Sequence, residues 1–79
     1  MSEEYSTAAK VAGMKQSLRA LREKRAEKVF LACDADPRVT GRVAALCTDV
    51  AVDRSMTMAQ LGAVAGIAVG AAVVTILKE

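Results

Sequence analysis

The 79-residue chain contains no histidine and no tryptophan, and it has one tyrosine, one phenylalanine, one proline and two cysteines. Without histidine, neither a Ser/His nor a Cys/His nucleophile pair can form, and the commonest metal ligand is missing. Two separated cysteines do not supply the ligands of a zinc site, and no phosphate-binding glycine loop is present. We therefore expect no catalytic residue, no metal site and no cofactor, and we do not expect an enzyme.

The composition is that of a folded globular protein, with 53% apolar and 25% charged residues. Because aromatic residues are so few, the core must be built from Val, Leu, Ile, Ala and Met. The length predicts a single domain over residues 1–79. The chain opens with Ser2-Glu3-Glu4 and lacks a basic and apolar secretion signal. We therefore expect a cytoplasmic protein in which Cys33 and Cys47 are reduced core thiols.

A run without charge extends from Met56 to Leu77 and allows two interpretations. Its length is sufficient to cross a bilayer, and Gly62, Gly66 and Gly70 could form the dimerisation face of a membrane helix. Alternatively, the run is a short helix that ends at Gly66, followed by a tight apolar loop and a buried strand. The β-branched cluster 73–76 and the lack of aromatic or basic flanks favour the second interpretation.

The net charge of +2 is unevenly distributed along the chain. Between Lys10 and Lys28 there are seven basic and two acidic residues, which is a local net charge of +5. Such a cluster predicts a localised surface for anions such as a phosphate backbone. A solvated helix face without any ligand produces the same pattern, so charge alone does not decide the function.

Periodicity and turn signals predict alternating helices and strands. Asp36 and Thr57 are predicted N-caps, and Pro37 occupies the first position of the helix that Asp36 caps. Asp34 and Asp36 could also form a metal-binding pair, but a turn and a helix cap explain these two residues better. The pattern predicts an α/β fold, a three-layer α-β-α sandwich with a small mixed four-stranded sheet. The predicted helices are 2–9, 14–24, 37–47 and 58–65, the predicted strands are 10–12, 28–33, 50–52 and 71–77, and the inward residues of the third helix are Val39, Val43 and Leu46.

The chain resembles a known family in three segments that occur in the family's order and spacing. It is similar to the kink-turn-binding ribosomal proteins typified by archaeal L7Ae, and most closely to small bacterial members of the YbxF and YlxQ type. The resemblance extends from about Lys10 to Leu77 and implies the same α-β-α sandwich. The segments are Gly13-Met-Lys-Gln-Ser-Leu-Arg-Ala-Leu21, Val29-Phe-Leu-Ala-Cys-Asp-Ala-Asp-Pro37 and Leu61-Gly-x-x-x-Gly-Ile-x-Val-Gly-Ala-Ala72.

The resemblance implies a protein that binds a kink-turn, a sharply bent RNA helix with tandem sheared G·A pairs and a flipped-out nucleotide. The implied partner is structured RNA such as ribosomal RNA. The protein is expected to bind it as a monomer and to have no membrane partner. A protein-interaction module of the same fold, without specific RNA binding, is the alternative.

The resemblance places the first contact at the N-terminus of the second predicted helix. Gly13 lets the backbone approach RNA without a Cβ in the way. Gln16 offers an amide that can donate to and accept from purine edges. Lys15 and Arg19, one helical turn apart, can bind phosphates or guanine, and Arg22 can bind phosphate. Archaeal members have Asn-Glu where this chain has the bacterial pair Lys15-Gln16.

The second implied contact is the apolar loop Ile67-Ala68-Val69, which packs on the flipped-out nucleotide in the family. Family members often have a glutamate where this chain has Ala68. An exposed apolar pair beside a basic helix is useful if a base stacks on it. The competing interpretation is that Ile67 and Val69 belong to the core.

Overall fold

The computed structural model describes residues 9–78, which form three helices around a four-stranded sheet. The helix predicted over residues 2–9 lies outside this part of the chain, apart from its last position. The elements are β1 (Lys10–Ala12), α1 (Met14–Arg22), β2 (Ala26–Leu31), α2 (Pro37–Ala44), β3 (Ala51–Asp53), α3 (Met58–Ala65) and β4 (Val73–Leu77).

The sheet has the strand order β1-β4-β2-β3. Strand β4 pairs antiparallel with both β1 and β2, whereas β2 pairs parallel with β3. The predicted mixed four-stranded sheet is confirmed. The β-branched run at the start of β4 is fully buried, as expected for a strand covered on both faces.

Helices cover both faces of the sheet, so the predicted α-β-α sandwich is confirmed. Alternate residues of β2 and β4 enter separate apolar clusters, one beneath α1 and α2 and the other beneath α3. Among residues 9–78, Phe30 is the only aromatic residue in either cluster, in keeping with the aromatic-poor composition. The first cluster is built on Ala20, Leu21, Val29, Leu31, Val43 and Val73, and the second on Phe30, Leu61, Val74 and Ile76.

Two predictions about the core are wrong. Helix α2 ends at Ala44 rather than Cys47, and the next turn is closed by a hydrogen bond from the Leu46 N–H to the Val43 carbonyl. Leu46 therefore leaves the buried stripe and is exposed. Cys33 is also exposed, because β2 ends before it and the chain is already turning towards α2.

The uncharged run folds as the favoured interpretation predicted, into α3, a loop and β4. Gly66 ends α3 in the left-handed conformation with a φ of 76°. A Cβ at Gly62 would overlap the carbonyl oxygen of Val69, and a Cβ at Gly70 would lie 3.3 Å from Met58. The glycine spacing therefore lets the loop backbone pack on α3. Within residues 9–78, none of the helices has the length and hydrophobicity that crossing a bilayer requires.

Candidate nucleic-acid interface

Among the described residues, no side chain caps the start of helix α1. Its N-cap residue is Gly13, whose φ of 100° favours glycine, and its first turn contains no acidic residue. The N–H of Gly13 donates to the Val73 carbonyl at 2.8 Å, which fixes the start of the helix against β4. A Cβ at Gly13 would meet no atom of residues 9–78 within 4 Å. Within residues 9–78, no carboxylate in the first turn compensates the positive end of the helix dipole.

The polar residues predicted on α1 are exposed. Lys15 and Gln16 lie in the first turn, and Arg19 follows with 79% of its side chain exposed. Lys15, Arg19 and Arg22 are spaced by four and three residues, so they lie on one face of the helix. Arg22 is exposed but lies about 13 Å along the axis from Gly13. It therefore shares the last turn of α1 with Arg19 and lies at the opposite end of the helix from Gly13.

The apolar loop before β4 presents its side chains to solvent. Ile67 is 41% exposed and Val69 is 70% exposed, and Ala68 between them is exposed as well. The interpretation of Ile67 and Val69 as core residues is therefore wrong. The Ile67 N–H donates to the Gly62 carbonyl at 3.0 Å, so the loop is held by its backbone and its side chains are free to face outward.

The loop and the start of α1 lie at the same end of the sheet. Residues 70–72 connect the loop to β4, and the first residue of β4, Val73, accepts the hydrogen bond from Gly13. The neighbouring residue Ala72 accepts a hydrogen bond from the Ala32 N–H at 2.8 Å, so the C-terminal end of β2 lies at this end of the sheet too. The structure thus brings Gly13, Lys15 and Gln16 to the end of the sheet at which the exposed loop lies.

The two aspartates after β2 are structural in the described chain. Asp36 caps α2 by accepting the Arg38 N–H at 2.9 Å, as predicted, and the Arg38 guanidinium and N–H hold the pKa of its carboxyl below the usual range. Asp34 accepts the N–H of Met58 at 2.8 Å. Sequence reasoning missed this contact because no local pattern links residues 24 positions apart. Within residues 9–78, no three His, Cys, Asp or Glu side chains are placed to hold a metal ion.

Comparison with known proteins agrees with this fold. The chain is 43% identical over 70 residues to an RNA-binding protein of Geobacillus sp. strain WCH70, covering 86% of this chain and 85% of that protein. It is 41% identical over 70 residues, with the same coverage, to the RNA-binding protein YbxF of Geobacillus stearothermophilus. A 15.5 kD RNA-binding protein of Giardia lamblia has the same fold, with a TM-score of 0.84 at 24% identity, covering 99% of this chain and 68% of that one.

A family model also matches nearly the whole chain, over residues 4–79. The relatives above, similar over most of their length, carry names that describe RNA binding rather than catalysis. This protein therefore belongs to the ribosomal protein L7Ae/L30e/S12e/Gadd45 family.

Proposed function

We propose that this RNA-binding family member recognises kink-turn RNA through the N-terminus of α1, which is the second helix of the sequence prediction, and through the apolar loop 67–69. The observation that carries the proposal is the shared position of these two features. The 2.8 Å hydrogen bond between the Gly13 N–H and the Val73 carbonyl joins the start of α1 to the first residue of β4, the strand that follows the exposed loop. One bent RNA can contact both at once.

The start of α1 supplies the polar contacts of the proposed complex. At Gly13, RNA can approach the backbone because no described residue occupies the space where a Cβ would be. Gln16 bonds the purine edges of the sheared G·A pairs, since its amide both donates and accepts. Lys15 and Arg19 bind phosphates or guanine, and the helix dipole favours the negative charge of RNA. Arg22, farther along the same face, binds phosphate.

The loop supplies the apolar contact. A flipped-out nucleotide has lost its stacking partners, and Ile67 and Val69 offer it an apolar surface that is otherwise exposed to water. Ala68 contributes its small side chain and no polar group. Covering this surface on binding removes apolar area from water, which is favourable.

The protein acts in this proposal as a cytoplasmic monomer without catalytic activity, on ribosomal or other structured RNA. A gel-shift titration tests it with two RNAs, a kink-turn and the same RNA with its tandem G·A pairs replaced by Watson–Crick pairs. Tight binding to the first and weak binding to the second is the expected result. Equal or absent binding would contradict the proposal and favour a protein-interaction module of the same fold.

A further inference from the structure

A groove of about 330 Å³ runs beside α1, between this helix and strands β1 and β4. Val11 and Leu77 line it with apolar surface, and three charged residues from the last turn of α1 and the connection between α1 and β2 line it as well. Gln16, from the first turn of α1, is also part of the lining. The groove therefore begins at the proposed RNA contact and leads away from it.

The charges in the groove belong to Arg19, Glu23 and Arg25. The Arg19 Nε donates to one carboxylate oxygen of Glu23 at 3.2 Å, and the Arg25 Nη1 donates to the other at 3.4 Å. One carboxylate thus faces two guanidinium groups, and the cluster has a net positive charge. Each guanidinium has five N–H donors, and the described residues engage only one of them in each case. The two arginine side chains are 79% and 59% exposed.

The backbone of Arg25 is already fixed in place. Its N–H donates to the Ala20 carbonyl at 2.8 Å, and its own carbonyl accepts the Lys78 N–H at 2.7 Å. These bonds tie Arg25 to the end of α1 on one side and to the end of β4 on the other. Only the side chain must be ordered when a ligand binds, which lowers the entropy lost on binding.

We propose that this groove is a second RNA contact, in which Arg19 and Arg25 bind a phosphate of the RNA stem that continues from the kink. The inference rests on the proposed function. Seven residues separate Gln16 from Glu23, or about 10 Å along the helix axis, so the phosphate lies beyond the G·A pairs. Glu23 weakens this contact because its carboxylate repels the phosphate and competes for the same donors.

The salt dependence of binding tests this assignment with Arg25→Gln and the control Arg42→Gln, which removes the same charge from an exposed position on α2. On a kink-turn RNA with a full stem, Arg25→Gln is expected to weaken binding several-fold. It should also reduce the slope of log affinity against log salt by about one. Arg42→Gln should leave the slope unchanged. An unchanged slope in Arg25→Gln, or an equal change in Arg42→Gln, would overturn the proposal.

Shortening the RNA stem separates this proposal from the proposed function. Wild-type protein should still distinguish the shortened kink-turn from its Watson–Crick counterpart, but Arg25→Gln should now bind it as tightly as wild type. A persistent defect of Arg25→Gln on the shortened RNA would overturn the groove contact. Loss of discrimination by wild-type protein on the full-length RNAs would instead overturn the proposed function.

Glu23→Gln provides the opposite perturbation. Removing the carboxylate should tighten binding to the full-stem kink-turn several-fold at low salt, and it should have no such effect on the shortened RNA. Unchanged or weaker binding to the full-stem RNA would contradict a phosphate beside Glu23. Circular dichroism verifies that each variant retains the helix content of the wild type.

Discussion

Helices α1 and α3 begin in opposite ways. The N-terminus of α3 is closed by its own side chains, since the Thr57 hydroxyl accepts the Gln60 N–H at 3.3 Å and the Gln60 amide accepts the Thr57 N–H at 2.8 Å. Asp34 satisfies a third donor, the N–H of Met58. In the part of the chain that the structure describes, helix α1 begins at Gly13 with no side-chain cap, and its first turn contains no acidic residue.

The difference separates a helix start that serves stability from one that is available for binding. A side-chain cap typically stabilises a helix by about 1 kcal/mol, and α1 forgoes that contribution. An acidic cap would also place a negative charge where the proposed RNA must approach. The open start of α1 is therefore expected to bind an anion, whereas the start of α3 already has its hydrogen-bonding partners.

Gln16→Ala should produce the largest effect on recognition. Loss of the amide should weaken binding to a kink-turn RNA by about 1–3 kcal/mol, the range for a bidentate base contact, and should change binding to plain duplex much less. Competition gel shifts with both RNAs measure the two losses. Equal losses on kink-turn and duplex would remove the specific readout assigned to this side chain.

Gly13→Ala should have the next largest effect, and it should lower both the stability of the fold and the affinity for RNA. The added Cβ meets no atom of the described residues, but the backbone at φ 100° and ψ 155° lies in a region that only glycine adopts readily. The strain should lower the free energy of unfolding by about 1–3 kcal/mol. Urea denaturation measures the loss, and a variant as stable as wild type would show that this start of α1 is not strained.

Thr57→Ala, at the start of α3, should lower stability without changing RNA affinity. Losing the cap hydroxyl of α3 should lower the free energy of unfolding by about 1 kcal/mol. Kink-turn affinity, measured well below the melting temperature, should remain that of wild type. A clear loss of RNA affinity in the folded variant would mean that the start of α3 also contacts RNA.

Acidification should weaken the Asp36 cap at the start of α2 and leave the start of α1 unchanged. The pKa of Asp36 is lower in the folded chain than in the unfolded chain, because the Arg38 side chain and N–H bond its carboxylate. The ionised carboxylate therefore stabilises the folded state above the unfolded pKa, and this stabilisation is lost as the pH falls through the folded pKa. Below about pH 4 the amide resonance of Arg38 should therefore shift. Asp36→Asn, which keeps the cap without the charge, should abolish this titration. An Arg38 amide that does not respond to acid would contradict the assignment.

The sequence predicted those features that depend on local chemistry. The caps at Asp36 and Thr57 and the glycine stop at Gly66 are all confirmed, because each is set by one residue and its near neighbours. The end of α2 was missed because periodicity continues to Leu46, whereas the structure closes the helix earlier. The contact of Asp34 with Met58 joins distant segments, and no spacing rule predicts it.

The exposure of the apolar loop could not be decided from the sequence, since apolar loop residues often turn inward. The structure provides the physical reason at Gly62. Because this residue has no Cβ, the loop backbone near Val69 packs directly on α3, and the loop side chains need not fill that space. The glycine spacing that resembled a membrane dimerisation motif thus makes a contact within the chain.

An amide-resolved NMR titration of labelled protein with kink-turn RNA tests the contrast between the two helix starts most directly. The account predicts large shifts for residues 14–16 and 67–69 and negligible shifts for residues 58–60. Shifts concentrated at the start of α3, or none at the start of α1 under saturating RNA, would contradict it.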